Sequence, residues 1–334
     1  MERRGGRSIK GVAREAGVSI ATVSRAINHP DQVSEPTRRK VLEAIRRLDY
    51  RPSAEMADRA RGAGARIAVL APFSSYGSYA ERLNGIFAVV QPRGMEALVR
   101  DQPSSAAAIE PHLDSLPLRS DVAGVIVMGV PVSGDGAARL EESRLPVVLV
   151  DSDHPAFSRV EFDDTGAGRL IAEHLLGLGH RQAYFVHEPQ AADFRSAGLV
   201  RSDAIQAAGL PLTSVPVTPD FGEAVRRLDH WLGGLSDGGA FDAGPVAVVA
   251  NHDRLGAAVL AAARGRGLQV PEQLRVIGVD DGEIAAVAGL TTIRQPFAES
   301  GRLAADLLLA QLADRRRPPA RVLLSGELVL RAST

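Results

Sequence analysis

The chain has 334 residues, 45% of them hydrophobic, with a formal charge of −1 and no cysteine. That length exceeds one compact core and predicts two or three domains of an ordinary globular protein. The absence of cysteine excludes disulfides, thiolate metal sites and cysteine nucleophiles, and fits a reducing compartment. No apolar run approaches the roughly 20 residues of a bilayer span, and no apolar stretch follows the charged start MERRGGRSIK. The expectation is a cytoplasmic protein with no membrane partner. The small net charge hides an asymmetry. Residues 1–61 carry 14 Lys or Arg against 8 Asp or Glu, and the remainder carries 25 against 32. A basic head on an acidic body predicts a polyanion partner for the head alone.

Three short helices are predicted in the head. Ile9, Val12, Ala13 and Ala16 follow the spacing of one buried helix face, with Ser8 as N-cap and Gly17 as the turn residue that tolerates positive φ. Ser19 caps a second helix from Ile20 to about Asn28, which buries Val23 and Ile27. A third runs from about Glu35 to Leu48, with Ser34 as cap, Pro36 in its first turn and an apolar stripe of Val41, Ala44, Ile45 and Leu48. Helix, short Gly-containing turn and second helix make a helix-turn-helix, whose second helix reads DNA. Its other face offers Ile20, Ala21, Thr22, Ser24, Arg25 and Asn28. Hydroxyls near its N-terminus suit phosphate, and Arg25 has the planar fork that grips a guanine edge. Periodicity alone equally allows a small helical bundle with a solvated arginine.

The particular residues decide between these. Ser8-Ile-Lys-Gly-Val-Ala-Arg-Glu-Ala-Gly-Val-Ser-Ile-Ala-Thr-Val-Ser-Arg-Ala-Ile-Asn28, Val33-Ser-Glu-Pro-Thr-Arg38 and Leu48-Asp-Tyr-Arg-Pro52 resemble, in order and without gaps, the headpiece of the LacI family of bacterial transcriptional regulators. The resemblance implies that Ile20, Ala21 and Arg25 touch base edges and that Ser19, Thr22, Ser24 and Asn28 contact the backbone. Ser53 then opens a short hinge helix that ends in a Gly-rich stretch. In the family two such helices pair in the minor groove, and an apolar residue, usually leucine, wedges a base step. Aligned from Tyr50-Arg-Pro52, that leucine falls on Arg59, a departure. Either Met56, one turn earlier on the same face, serves as the wedge, or Arg59 enters a narrow groove as a cation.

From Arg66 the texture becomes apolar runs alternating with helical patterns. Strands are predicted at Ile67–Ala71, Gly124–Met128, Pro146–Val150, Arg159–Phe162, Ala183–Val186, Val246–Ala250 and Arg275–Val279. Helices fall at Gly166–Leu178, Arg254–Arg266 and Ala298–Leu312, among others. Such alternation indicates parallel sheets covered on both faces, and about 270 residues of it suggest two lobes. The fold class is therefore α/β: an all-α helix-turn-helix headpiece followed by two doubly wound parallel α/β lobes. The domains are a headpiece at 1–51, a hinge and linker at 52–65, and a two-lobed effector-binding and dimerisation domain at 66–334.

The resemblance continues through Leu176-Gly-Leu-Gly-His-Arg181, Arg195-Ser-Ala-Gly198, the run from Val270 to Asp281, Leu290-Thr-Thr-Ile-Arg-Gln-Pro296 and Glu327-Leu-Val-Leu-Arg-Ala-Ser333. It implies periplasmic-binding-protein-like lobes with a small-molecule effector in the cleft and a chain that crosses over several times. Ligands of open α/β sheets sit outside the carboxyl ends of the strands. Asp280, with its neighbour Asp281, and Arg195 are expected there, an acceptor and a donor for a polyhydroxylated ligand. Phe221, in the loop Pro219-Asp-Phe-Gly222, matches a position that stacks an aromatic on the ligand in some members. Tyr79, Asp151, Phe162 and His252 match by the same alignment, with ordinary loop residues as the equal alternative.

Other signals carry less. Gly166-Ala-Gly168 faintly echoes a dinucleotide fingerprint but has Ile171 at the third position, so these small residues are expected to let their helix sit close on its sheet. Asp163-Asp164 and Asp280-Asp281 are no ready-made catalytic dyads, because neighbours in an extended strand point opposite ways. The histidines lack metal-ligand spacing, and no nucleophile elbow or P-loop occurs. No cofactor is expected. Arg315-Arg-Arg-Pro-Pro319 reads as a solvated crossover loop. The reading is a homodimeric, operator-binding regulator, a repressor, not an enzyme, whose effector is a sugar in preference to a nucleobase. The rival is a soluble ligand-binding protein or enzyme on the same scaffold. No leucine-heptad tail is seen after Ser333, which favours a dimer over a tail-built tetramer.

Overall fold

The computed structural model describes residues 8–48, 50, 66–73, 77–102, 112–119, 121–132, 134–189 and 196–334. It opens with α1 (Ile9–Ala16), α2 (Ile20–Asn28) and α3 (Glu35–Arg47). Val12, Ala13, Val23, Ala26, Ile27, Val41, Ala44 and Ile45 meet in one small core. Each helix contributes residues three or four apart, the spacing that puts side chains on one face. Ser8 accepts from the Gly11 amide at 3.1 Å, and Gly17 closes α1 at φ 64. Ser34 stands at the N-cap of α3 but makes no capping bond, and its hydroxyl donates to Thr37 Oγ1 at 3.0 Å instead. Pro36 removes one of the amides that such a cap would reach.

The chain divides into two compact units, Met1–Glu161 with Phe297–Val322 and Phe162–Pro296 with Leu323–Thr334, and so passes between them three times. The first unit's sheet comprises β1 (Arg66–Ala71), β2 (Glu96–Asp101), β3 (Val122–Met128), β4 (Val147–Val150), β5 (Ser158–Phe162) and β11 (Arg321–Leu324), in the order β11-β5-β4-β3-β1-β2. The β2-β1-β3-β4-β5 pairings are parallel. The second sheet comprises β6 (Ala183–His187), β7 (Leu212–Pro216), β8 (Val246–Ala250), β9 (Leu274–Asp280), β10 (Thr291–Arg294) and β12 (Glu327–Val329), in the order β12-β10-β9-β8-β6-β7. Its one antiparallel pair is β10 with β12. Central strands such as β3 are buried along their whole length, which explains their unbroken apolar runs.

All seven predicted strands form. The five that apolar runs did not mark are β2, β7, β11 and β12, which lie at sheet edges, and β10, which is short and carries two buried threonines. In the first unit, the helix Ser78–Val90 lies against the helix Phe297–Ala313 through a reciprocal glycine contact. A methyl group at Gly85 would stand 1.9 Å from the Ala298 carbonyl oxygen, and one at Gly301 would stand 1.9 Å from that of Arg82. In the second unit Gly168 sits against the helix Ala197–Ala207, where an added methyl would meet the Arg201 carbonyl oxygen at 2.6 Å. Its small size therefore serves a helix neighbour rather than the sheet. Phe221 is not in a loop: it is the first residue of the helix Phe221–Asp237, capped by Asp220, which accepts from the Glu223 amide at 2.8 Å.

Candidate nucleic-acid interface and effector residues

Helix α2 is capped by Ser19, whose hydroxyl oxygen accepts from the Thr22 amide at 3.0 Å and lies 2.9 Å from Thr22 Oγ1. With Val23, Ala26 and Ile27 buried, the residues left outward are Ser19, Ile20, Ala21 and Arg25, all exposed, and Thr22, Ser24 and Asn28, half-buried. Six of the seven predicted residues thus lie on this short helix outside its buried stripe, and Ser19 is its N-cap. Ile20, in its first turn, is 44% exposed, a large apolar side chain left in water. Asn28 Nδ2 donates to the Ser24 carbonyl at 3.0 Å and to Ser24 Oγ at 3.3 Å. These bonds hold the C-terminal end of the polar face in order. Met56 and Arg59 lie outside the described residues.

In the first unit Tyr79 and Asp151 come together at the carboxyl edge of the sheet through Arg82, which the sequence reading did not single out. Asp151 follows β4 with φ 51, and its carboxylate accepts from Arg82. The Arg82 guanidinium is buried, 5.2 Å from the Tyr79 ring centroid and 4.4 Å from that of Phe297. A buried cation needs such a carboxylate and such ring faces to offset lost hydration. The Tyr79 hydroxyl presses on Gly129, where a Cβ would stand 1.6 Å away.

The second unit holds the remaining candidates, apart from Arg195, which is outside the described residues. Asp280 ends β9 with φ 125 and accepts from Gln295 Nε2 at 2.9 Å. Asp281 follows with φ 62. The extended-strand argument therefore does not apply to this pair, although the two carboxylates do take separate partners. Asp281 accepts from Arg294 Nε at 2.7 Å and from Arg331 Nη2 at 2.5 Å. Burial alone would raise its pKa, but the two guanidiniums hold it below the usual carboxylate range. His252 caps the helix Asp253–Gly265 and sets Nε2 2.7 Å from Glu188 Oε1. Burial of Glu188 pushes its pKa up, but the His252 bond and charge, together with bonds from Asn251 and the backbone, bring it below the ordinary value. The Phe221 ring has the Arg254 guanidinium 5.9 Å from its centroid. Phe162 is half-buried beside Gly326 and packs on the core of this unit.

Two residues at this edge escaped sequence reasoning. Glu188 had no motif. Asp253 is buried, accepts from Thr292 Oγ1 at 2.5 Å and from the Gly282 amide at 2.9 Å, and braces the turn that carries Asp280 and Asp281. Burial and the neighbouring Asp280 charge push its pKa up to about 7. No group of three or more His, Cys, Asp or Glu arranged for a metal ion occurs among the described residues.

A three-helix head with one polar recognition face, carried by two parallel α/β sheets with polar carboxyl edges, defines a DNA-binding regulator of the periplasmic-binding-protein-like type. Comparison with known proteins agrees. Residues 8–53 match the model for bacterial regulatory proteins of the lacI family, and residues 172–334 match the periplasmic binding protein-like domain. The chain is 30% identical over 336 residues to the HTH-type transcriptional regulator DegA of Bacillus subtilis, covering 98% of each. It is 29% identical over 354 residues to the regulator CelR of Thermobifida fusca, covering 100% of each. A solved transcriptional regulator CelR–cellobiose complex matches with TM-score 0.66 at 27% identity, over 98% of this chain and 99% of that one. The lac repressor dimer bound to operator and the anti-inducer ONPF matches with TM-score 0.68 at 24% identity, over 98% of each chain, a likeness of fold. This chain belongs to the lacI family of bacterial regulatory proteins. It is a DNA-binding transcriptional regulator, as its named relatives are, and not an enzyme.

Proposed function

We propose that the protein is a cytoplasmic repressor that binds a palindromic operator as a homodimer and is controlled by a small sugar. The single observation that carries the DNA half is the outward face of α2, with Arg25 exposed beside Ile20 and Ala21 and the hydroxyls of Ser19, Thr22 and Ser24 near the helix start. In this reading Arg25 grips a guanine edge, Ile20 and Ala21 read a thymine methyl or shape, and Ser19, Thr22, Ser24 and Asn28 engage the backbone. Two copies on a two-fold axis require an inverted repeat. Met56 is the minor-groove wedge at its centre, with Arg59 beside it.

The effector half rests on the carboxyl edges of the sheets, where Tyr79 and Asp151 in one unit and Phe221, His252 and Asp280 in the other offer rings, acceptors and donors. Arg195 and Phe162 complete the set assigned to the effector by family resemblance. An edge rich in carboxylates favours a neutral ligand with hydroxyl donors, hence a sugar over a nucleobase. The bound cellobiose of the CelR complex supports the same class.

Selection of bound duplexes from a random pool tests the DNA half. The expected product is an inverted repeat, and Arg25→Ala loses discrimination at one base pair of each half-site by about 1–3 kcal/mol. A pool returned without any repeat, or an Arg25→Ala protein with unaltered preference, would overturn it.

A further inference from the structure

The run Arg315-Arg316-Arg317, expected only as a solvated crossover, has company in the structure. It follows the helix Phe297–Ala313 and leads into β11. Asp314 shapes the turn, with its Oδ1 accepting from the Arg316 amide at 2.9 Å and its carbonyl from the Arg317 amide at 3.2 Å. Arg315 Nη1 reaches across 171 positions of sequence to the Arg144 carbonyl at 2.8 Å. That bond joins the run to the end of the helix Gly134–Ser143, just before β4 begins at Val147. Arg144, Arg315, Arg316 and Arg317 are all exposed, and Arg144, Arg316 and Arg317 have no ion pair among the described residues. Glu141 and Glu142 stand close by, so the cluster keeps a positive excess rather than a pure positive field.

The position gives the cluster its meaning. It lies at the amino edge of the first sheet, where β3, β4 and β5 begin. Arg66, the first residue of β1, is on that edge too. Arg46 and Tyr50 of the headpiece border the same cavity, of about 1360 Å³, as the four arginines. The opposite, carboxyl edge of this sheet holds Arg82 with Asp151. On the side bordered by the headpiece residues Arg46 and Tyr50, the lobe thus presents Arg144, Arg316 and Arg317 without an ion pair among the described residues, whereas Arg66 is paired with Glu96 and Asp121, as Arg82 is with Asp151 on the other side. Exposed arginines spaced over one edge suit a row of phosphates, which they meet without regard to base.

We propose that Arg144, Arg315, Arg316 and Arg317 form an auxiliary, sequence-independent phosphate-binding edge that holds the chain on duplex DNA beside the headpiece. The proposal rests on the reading of the protein as DNA-binding and extends the contact from head to lobe. Its test uses the full chain and a 40-base-pair duplex of random sequence, with affinity measured from 50 to 200 mM salt. If three of the four arginines meet a phosphate, replacing all four by Gln lowers the slope of log affinity against log salt by about 2.7, so that the loss over this range shrinks about 40-fold. Replacement of all four by Lys keeps the charge and restores the slope. That variant, together with equal unfolding midpoints, separates charge from damage to the fold. A Gln variant with the wild-type slope, or a Lys variant that fails like the Gln one, overturns the edge while leaving the headpiece reading intact. A wild-type chain with no salt-dependent DNA binding removes both.

Discussion

In the first lobe the carboxyl edge of the sheet encloses one cation, Arg82, matched by Asp151 and covered by the rings of Tyr79 and Phe297. In the second lobe the corresponding edge gathers Glu188, Asp253, Asp280 and Asp281, with Arg294 and Arg331 both committed to Asp281. The strand orders of the two sheets are equivalent, position for position. One scaffold therefore carries two electrostatic solutions: a closed ion pair in one lobe and an excess of carboxyl groups in the other. The difference lies in loop and helix-start residues, which the sheet architecture leaves unspecified.

The contrast can be broken by mutation, and the largest effect is expected from Arg82→Leu. Removing the buried guanidinium strands the half-buried Asp151 carboxylate and takes the cation from between the two rings, and the expected loss is about 3–4 kcal/mol in urea unfolding, toward the lower end of the range for buried pairs. A loss below about 1 kcal/mol would mean that the first edge does not depend on its pair. Asp253 sharpens the other side. Its folded pKa of about 7 lies above the ordinary 3.8. The folded chain therefore binds more protons than the unfolded one between those values, and stability falls as pH rises through that window. At about 1.4 kcal/mol per unit the group accounts for about 4 kcal/mol between pH 4 and 7. Asp253→Asn should flatten that part of the profile and leave the variant the more stable above pH 7. An unchanged profile would show that Asp253 is ionised throughout. The smallest effects concern helices. Gly301→Ala, blocked by the Arg82 carbonyl, should cost about 2–3 kcal/mol, whereas Gly234→Ala, with open space around it, should gain about 0.5–1 kcal/mol. Thermal unfolding of both variants reads the difference in sign.

The headpiece was legible almost residue by residue, because a core made from three amphipathic helices writes its spacing directly into the sequence. Val12, Val23 and Val41 are fully buried as that spacing demands. Even so, a cap residue did not guarantee a cap bond, as Ser34 shows beside Pro36. Central strands were legible from their apolar runs. Edge strands such as β2 were not, since none of its six residues is buried and three are exposed, so no apolar run marks it. At the carboxyl edges of the sheets, family resemblance pointed to Tyr79, Asp151, His252 and Asp280. Their partners Arg82 and Glu188 stayed hidden because a contact between residues 69 or 64 positions apart leaves no local trace. Asp253 was hidden by its setting: an acid in a helix's first turn looks like ordinary dipole chemistry until its burial is known.

The three passages of the chain between the units have a consequence for how the molecule can be taken apart. Neither lobe is a continuous stretch of sequence. A single cut after Glu161 leaves the first lobe without the helix Phe297–Ala313 that lies on Ser78–Val90, and a single cut after Pro296 leaves the second without β12. Protease nicking at one such junction should therefore liberate no intact lobe, and recombination at one junction cannot exchange a lobe for that of a relative. Of the pieces of this protein, only the headpiece is encoded as a contiguous cassette.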